Sequence, residues 1–453
     1  MPRIPLNALF AVSVWLAGAL LPAAAGAHAY RPGEVVVGYA PATPAAERDR
    51  LQQDVSARAA GSAGPDTRVL RVTDGHSVSE TARRLRSRPG VRYALPNYLA
   101  RAADTGFFPN DRGRGRPGDW RLLQWNFRAA AGVDAPDAWA RMLRLRAPGG
   151  RGVTVAVLDT GVAYRSAGRY RRSPDFSPTT FAPGYDFVSH DPFPDDPFGH
   201  GTFVAGIIAE RTNNLLGLTG IAYGARIMPV RVLDARGFGD AATIGAGIRF
   251  ATTHGARVIN LSLDFDPSMT ASQIPEVLSA IAFARSRGAV VVGAAGNQGL
   301  ATVNYPARAA GVISVGATTE HGCQAEYSNY GPDLDLVAPG GGADSPLGAD
   351  PVHCHPGRGG SPLVQLTYVA GVGRFGFRTD YQGTSLSTPH VSAVAALIIA
   401  SGLVGRRPRP SAVEARLKAT ARDLGPPGHD LRYGAGLVSA GGAVAATPRR
   451  TAG

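Results

Sequence analysis

Residues 383–390 read Gly-Thr-Ser-Leu-Ser-Thr-Pro-His, and this stretch places the most specific demand on the rest of the chain. Its central hydroxyl, on Ser385, is a weak nucleophile at neutral pH. Such a hydroxyl reacts efficiently only when a base accepts its proton and a third group orients that base. Small and apolar residues follow and predict a helix from about Ser387 to Ser401. Ser385 would then lie near the free backbone N–H groups and the positive end of that helix.

Two upstream segments carry side chains that could serve as the base and as the group that orients it. Asp159 follows the apolar run Val153 to Leu158, which predicts a buried strand with a rigidly placed carboxylate at its end. His200 lies in Gly-His-Gly-Thr (199–202), where the next predicted helix begins, and its flanking glycines let another backbone approach closely. Taken alone, an aspartate such as Asp159 is more often a turn or helix-cap residue, and a histidine such as His200 is more often incidental.

Taken together, the Asp159, His200 and Ser385 segments resemble the motifs of the subtilisin-like serine proteases, in the same chain order. The resemblance implies that His200 deprotonates Ser385 while Asp159 orients the imidazole. Residues 294–297, Ala-Ala-Gly-Asn, are similar to the segment that supplies the oxyanion-hole asparagine of this family, here Asn297. No cofactor is implied for catalysis.

The remaining pattern predicts the fold class. From residue 152 onward, apolar strands alternate with helices, which indicates an α/β domain with a mostly parallel sheet covered on both faces. The resemblance implies a subtilisin-like three-layer fold over residues 120–446. Residues 340–383 are rich in glycine and proline and predict a long inserted loop. Residues 447–453 are expected to form a tail.

The first part of the chain predicts export and processing. Residues 1–29 have the layout of a secretory signal peptide, although an uncleaved anchor is the alternative. Residues 30–101 alternate strands and helices, with a helix from Ala45 to Ala59, and look like the small α+β inhibitory propeptide of the same family. An independent binding domain is the alternative. Residues 102–119 are expected to be an exposed linker, and no later segment is expected to cross a membrane.

The family resemblance also implies a peptide-binding cleft. Two segments would flank an extended substrate as added strands, and a primary pocket would receive the side chain before the scissile bond. The expected edge residues are Gly237, Phe238, Gly239, Ser262, Leu263 and Asp264, and the expected pocket residues are Ala294, Ala295, Gly296 and Asn304.

Several positions depart from the family pattern. Phe203 replaces a common second histidine, which predicts altered packing with intact chemistry. Leu386 replaces the usual methionine, which predicts tolerance of peroxide because a thioether is easily oxidised. Asp264 and Asn304 replace glycines. Asp264 would favour a basic substrate residue, and the alternative is a solvated carboxylate at the pocket rim.

Structural calcium is a further expectation. Asp175 and Asn214 resemble ligands of a family calcium site, and both offer the oxygen donors that this cation needs. Asp191, Asp195 and Asp196 would hold a second ion, or else form a solvated acidic loop. The two cysteines, Cys323 and Cys354, suit a disulfide in an exported protein, with free thiols as the alternative.

The composition leaves the question of partners partly open. The formal net charge is +13, and Lys418 is the only lysine, so nearly all of the positive charge is arginine. Biased genome composition explains this, and a basic surface for acidic partners is the alternative. The sequence contains no nucleic-acid motif and no long basic block. We therefore expect a secreted, monomeric endopeptidase that acts on polypeptides and is inhibited by its own propeptide. A non-catalytic binding protein on the same fold and an esterase are the rival hypotheses.

Overall fold

The computed structural model describes residues 30–98, 107–176, 180–346, 354–369 and 374–446. The expected signal peptide and the expected tail lie outside these ranges. The chain divides into two compact units, residues 1–104 and 105–453, and each is described by itself.

The amino-terminal unit is a four-stranded antiparallel sheet with two helices. Its core contains Val35, Val37, Leu70 and Leu85, and its strand order is β2-β3-β1-β4. Its elements are β1 (Tyr30–Tyr39), α1 (Ala45–Asp54), β2 (Ala57–Gly64), β3 (Thr67–Val72), α2 (Val78–Arg86) and β4 (Val91–Tyr98).

One element of this unit was predicted wrongly. The helix expected to run to Ala59 ends at Asp54, and residues from Ala57 onward form strand β2. Ser56 adopts a positive φ of 48°, which turns the chain. Residues Ala57 to Gly64 then pair with β3. Alanine and glycine show no pattern typical of a strand. Pairing with β3, and not local propensity, therefore makes this segment a strand.

The main unit contains nine strands and eight helices within its described residues. They are α3 (Trp120–Leu123), α4 (Ala135–Arg144), β5 (Thr154–Asp159), β6 (Tyr185–Asp186), α5 (His200–Ala209), β7 (Arg226–Arg231), α6 (Ala241–Thr253), β8 (Val258–Leu261), α7 (Pro275–Ser286), β9 (Val290–Ala294), β10 (Val312–Thr318), β11 (Leu336–Pro339), β12 (Leu363–Val369), β13 (Arg374–Tyr381), α8 (Thr384–Ser401), α9 (Pro410–Ala419) and α10 (Ala440–Ala443).

A seven-stranded parallel sheet forms the middle layer, in the order β11-β10-β9-β8-β5-β7-β6. Helices α5 and α8 pack on one face, where Phe203 and Leu397 share a core. Helices α6 and α7 pack on the other, where Ile248 and Ile281 share a second core. The three-layer α/β fold expected from the sequence is confirmed. Because the strands are parallel, β5, β8 and β9 end at one edge of the sheet, which is where such sheets bind ligands.

The long insertion before α8 is more ordered than the sequence predicted. Strands β12 and β13 within it form an antiparallel pair, so the expectation of a loop throughout residues 340–383 was wrong. The predicted disulfide between Cys323 and Cys354 is present. It ties the earlier part of the insertion to the loop that follows β10. In β13, a glycine lies between two phenylalanines at residues 375–377, and this glycine weakened the sequence pattern that predicts a strand.

Part of the expected linker is packed against the main unit. Asp111 is fully buried and accepts hydrogen bonds from the backbone N–H groups of Asn213 and Asn214 at 2.9 and 3.0 Å. Trp120 is also buried, and its indole N–H donates to the carbonyl of Pro109. The expectation of an exposed linker is therefore wrong for Pro109 and Asp111, which are buried.

Helix α8 contains no Asp, Glu, Lys or Arg residue. Over its 18 residues it is long and apolar enough to cross a membrane, which the sequence analysis did not anticipate. Most of it is buried inside the main unit, between the sheet and its neighbours. Its apolar character is accounted for by its place in the core.

Candidate active site

Ser385 lies in the first turn of helix α8, which begins about three residues earlier than the sequence predicted. The residue before the helix, Gly383, has a φ of 151°. A Cβ atom added to Gly383 would lie 3.2 Å from the Ser385 Oγ. Glycine is needed there because a side chain would crowd the hydroxyl group and disfavour this backbone conformation.

The first turn of α8 is held from outside the helix. Pro389 has no N–H, so the carbonyl of Ser385 has no partner one turn later in the helix. The Ser262 hydroxyl donates to that carbonyl at 2.6 Å instead. Ser262 is in turn bonded to Asn260 at 2.9 Å, and Asn260 accepts from Ser392 of the same helix at 2.9 Å. The end of strand β8 thus fixes the backbone of Ser385.

His200 lies between Ser385 and Asp159. Its Nδ1 is 2.8 and 3.0 Å from the two carboxylate oxygens of Asp159, and its Nε2 is 3.2 Å from the Ser385 Oγ. Asp159 is fully buried at the end of β5, whereas the His200 side chain remains 19% exposed. Nδ1 therefore donates to the carboxylate, which leaves the lone pair of Nε2 to accept the serine proton.

The electrostatics of this pair favour a basic imidazole. Burial lowers the pKa of His200, but the Asp159 carboxylate and its hydrogen bond outweigh that effect, so the pKa lies above the ordinary histidine value. Asp159 also accepts a hydrogen bond from the Thr160 N–H at 2.7 Å, which fixes its orientation. The arrangement suits general-base chemistry near neutral pH.

Asp191, Asp195 and Asp196, the acids of the expected second calcium site, all accept hydrogen bonds from other groups of the protein. Asp196 accepts hydrogen bonds from the hydroxyl groups of Thr160 and Thr202 at 2.9 and 2.6 Å. Arg165 donates from Nε and Nη2 to the Asp195 Oδ2 at 3.0 and 2.6 Å. The carboxylate of Asp191 accepts from a backbone N–H group two residues later, at 2.8 Å. These bonds organise the loop before His200.

Asn297 lies beside the nucleophile, after strand β9. Its Oδ1 accepts hydrogen bonds from the backbone N–H and the hydroxyl of Thr384, at 2.8 and 3.0 Å. With its oxygen fixed in this way, the amide nitrogen is left available on the side of Ser385. Asn297, His200 and Ser385 line the same cleft of about 330 Å³.

The structure brings most of the expected substrate-binding residues into this cleft. They are Gly237, Phe238, Gly239, Ser262, Leu263, Asp264 and Ala294. The other three expected pocket residues do not line it. Ala295 lies in a separate core cluster, Gly296 accepts from the Asn329 N–H, and Asn304 is 1% exposed behind Asp264.

Asp264 belongs to a polar network that the sequence analysis missed. The Asn304 Nδ2 donates to its carboxylate at 2.7 Å and to the Gln298 Oε1 at 2.9 Å. Asn329 donates to Gln298 as well. Desolvation in the cleft wall raises the pKa of Asp264, against the opposing effect of its hydrogen bonds. No motif links these four residues in sequence, so only the fold could reveal the network.

The calcium candidates are in direct contact, with Asp175 buried and Asn214 partly buried. Asp175 accepts from the Asn214 Nδ2 at 2.7 Å and from the Leu218 N–H at 2.9 Å. Burial raises the pKa of Asp175 to about 7. Glu210 is fully buried nearby, and neither of its carboxylate oxygens has a partner. Across the described residues, no three acidic, histidine or cysteine side chains converge as a metal cluster.

The two apolar departures pack close to the site. Phe203 is fully buried, and its ring lies 5.1 Å from that of Tyr381, which also contacts His200. Leu386 is 1% exposed and belongs to the core. No methionine is among the described residues that line the cleft.

Comparisons with known proteins agree with this geometry. A profile described as "Subtilase family" matches residues 150–436, and one described as "Fervidolysin N-terminal prodomain" matches residues 20–97. The chain belongs to the subtilase family. It is a subtilisin-like serine protease with an amino-terminal prodomain, as the sequence motifs predicted.

Individual relatives extend the likeness over most of the chain. It is 34% identical to "Thermophilic serine proteinase" of Bacillus sp. (strain AK1), over 83% of this chain and 79% of the relative. It is 38% identical to "Subtilisin Savinase" of Lederbergia lenta, over 68% of this chain and 94% of the relative. Among solved structures, a protease from Pseudoalteromonas arctica matches with a TM-score of 0.57 and 32% identity, over 75% of this chain and 99% of that one.

The pH dependence of this subtilase should report the Asp159–His200 pair. Protonated His200 cannot accept the serine proton, so kcat/KM should fall as pH falls through a pKa above the usual ~6.5. Asp159→Asn removes the interaction that raises this pKa while burial still lowers it. We expect activity to drop roughly ten-thousandfold and the acid limb to move to lower pH. An unshifted limb in steady-state pH profiles would contradict this assignment.

Oxidation should test the role of Leu386. The wild-type protein should keep its activity in dilute peroxide, because no methionine sulfur adjoins the nucleophile. Leu386→Met conserves the packing volume and should make the protein sensitive. The measurement is residual casein hydrolysis against time of exposure, with Met228→Leu, a change in the other core, as the matched control. Equal loss of activity in wild type and Leu386→Met would refute the prediction.

Proposed function

We propose that the protein is a secreted serine endopeptidase in which Ser385, His200 and Asp159 act as nucleophile, general base and orienting acid. The observation that carries this proposal is the continuous hydrogen-bonded chain from the Ser385 Oγ through His200 to buried Asp159. A non-catalytic binding protein would have no need for this geometry beside a substrate-sized cleft.

The mechanism follows from the positions of these atoms. An extended polypeptide lies between residues 237–239 and 262–264, with its scissile carbonyl next to Ser385. His200 Nε2 takes the serine proton as Oγ bonds to the carbonyl carbon. The resulting oxyanion accepts hydrogen bonds from the Asn297 amide and the Ser385 N–H.

Breakdown of the intermediate uses the same residues in turn. His200 passes its proton to the amine that leaves, and an acyl group remains on Ser385. Water then attacks the acyl carbonyl, with His200 again as the base, and frees the second product. Asp159 stays ionised and stabilises the imidazolium each time it forms.

A substitution of the nucleophile tests this proposal. Ser385→Ala should abolish casein hydrolysis and leave the precursor uncleaved, because the prodomain is proposed to be removed by the protein's own activity and to inhibit it until then. The mature amino terminus of the wild type should fall after the prodomain match, which ends at residue 97. Mass determination of both products provides the measurement.

The same experiment separates the rival hypotheses. Unchanged processing and hydrolysis in Ser385→Ala would refute the protease mechanism. Hydrolysis of a simple ester without hydrolysis of casein would favour the esterase. Ester cleavage that accompanies casein cleavage is expected, since the acyl-enzyme route serves both substrates.

Asp264 is proposed to favour a basic residue before the scissile bond. It lines the cleft with Ser385 and faces solvent, so a substrate cation can reach its carboxylate. Its raised pKa means that the charge, and with it the preference, is present at higher pH and is lost as pH falls through that value.

Peptide substrates that differ only at this residue test the proposal. Asp264→Asn should reduce the ratio of kcat/KM for arginine over leucine about fivefold, equivalent to ~1 kcal/mol for a partly solvated ion pair. Asp266→Asn is the matched control, since Asp266 lies two residues away, outside the cleft lining, and hydrogen-bonds to Ser268. A ratio that stays the same in Asp264→Asn would leave the carboxylate as a solvated rim group.

Structural calcium is proposed for the region of Asp175 and Asn214. A buried aspartate, an amide side chain and loop carbonyls are donors that suit this hard cation, and burial raises the pKa of the partnerless Glu210 carboxyl, which a nearby cation would help to ionise. Calcium supplies loop stability there and takes no part in the chemistry of Ser385.

Chelation in the Ser385→Ala background tests the calcium proposal. Calcium at a hundredfold excess over its Kd would stabilise the folded state by about 2.7 kcal/mol. EDTA should therefore lower the melting temperature, and Asp175→Asn should remove that effect. Asp195→Asn, which breaks the Arg165 pair instead, should leave the EDTA effect intact. A melting temperature insensitive to EDTA would overturn the proposal.

A further inference from the structure

A second cleft, of about 750 Å³, lies away from the catalytic residues. It is built where strands β8 and β9 begin, at the edge of the sheet opposite to the active site. The end of α7 and the start of α9 complete its walls. The cleft is lined by Arg257, Arg285, Arg287, Arg407 and Arg409, together with Ser286, Gly288, Pro408, Pro410 and Ser411.

Among the residues that the structure describes, these five guanidinium groups face only one carboxylate. Glu414 is 3.8 Å from Arg285, and it is also paired with Lys418. Over the described ranges, no other carboxylate comes within 4.0 Å of any of the five arginines. The cleft is therefore a concentrated region of uncompensated positive charge.

Some arginines elsewhere in the main unit are neutralised by acids. Arg165 and Arg231 pair with buried aspartates at 2.6 and 2.8 Å, and Arg141 pairs with Asp137 at 2.9 Å. Biased composition explains why the chain has many arginines. It does not explain why five of them converge on one concave surface almost without acids.

Neighbouring backbone groups hold part of the cluster in place. Arg257 donates to the carbonyl of Pro408 at 3.2 Å, and Arg285 donates to the carbonyl of Gly311. Helix α9 begins at Pro410, so its amino end adds partial positive charge to the same cleft. Arg287, Arg407 and Arg409 are exposed and able to reach a ligand.

We propose that this arginine cleft binds successive phosphate groups of a soluble anionic polymer. Guanidinium groups bind phosphate through paired hydrogen bonds, and several of them around one cavity can bind successive phosphates. The size of the cleft exceeds the need of a single ion. Such a site would hold the protease at a phosphate-rich location while the active site, at the other edge of the sheet, stays open to substrate.

Calorimetry with a short linear polyphosphate tests the proposal on full-length protein carrying Ser385→Ala to prevent autolysis. Arg287→Gln, Arg407→Gln and Arg409→Gln combined should weaken binding at least about tenfold, because charge-assisted hydrogen bonds are lost. The slope of log K against log salt should become shallower by about two to three. The same triple change in the active protein should leave casein hydrolysis unchanged.

The matched control removes equal charge from elsewhere on the main unit, through Arg128→Gln, Arg144→Gln and Arg146→Gln, all exposed positions. It should retain nearly full affinity. Equal weakening by both triples would show non-specific attraction to a basic protein and overturn the proposal. So would the absence of binding to both polyphosphate and phosphatidylglycerol vesicles.

A parallel measurement with those vesicles identifies the source of the phosphate. Binding to polyphosphate that depends on the cleft assigns it to a soluble polymer, which the concave shape favours. Cleft-dependent binding to vesicles alone would assign the site to a lipid surface and overturn the proposal.

Discussion

The active site depends on the burial of helix α8. This helix passes through the core of the main unit, and fifteen of its eighteen residues are buried. A helix so firmly packed has one position and one rotation, so the first turn that carries Ser385 is placed by the whole core. Pro389 then leaves the Ser385 carbonyl without a helical donor, and the Ser262 hydroxyl donates to this carbonyl at 2.6 Å instead. Ser385 is thereby coupled to the central strand β8.

The other functional groups are positioned by the same sheet. Asp159 ends β5, Ser262 follows β8 and Asn297 follows β9, and these three strands are neighbours. Parallel pairing brings their carboxyl ends to one edge, where α5 and α8 also begin. The hydrogen bonds between Asp159, His200 and Ser385 therefore result from topology, although the residues are far apart in sequence.

Much of this could be predicted from sequence because short motifs determine it. The glycines around His200 and Ser385 and the apolar strand before Asp159 are local signals with a clear physical reason. The segments that were predicted wrongly lack such signals. Strand β2 is made largely of alanine and glycine and is decided by its pairing with β3. The Asp264–Asn304–Gln298–Asn329 network and the arginine cleft are assembled from distant segments, so no local pattern encodes them.

The central claim is that Ser385 is the activated nucleophile and that His200 activates it. An organophosphorus fluoride reacts covalently with a serine activated in this way. Peptide mass spectrometry after such labelling should find a single modified site, in the peptide that contains Ser385. The label should be nearly absent when His200 is replaced by alanine. A label on another residue, or labelling of Ser385 that does not depend on His200, would contradict the account.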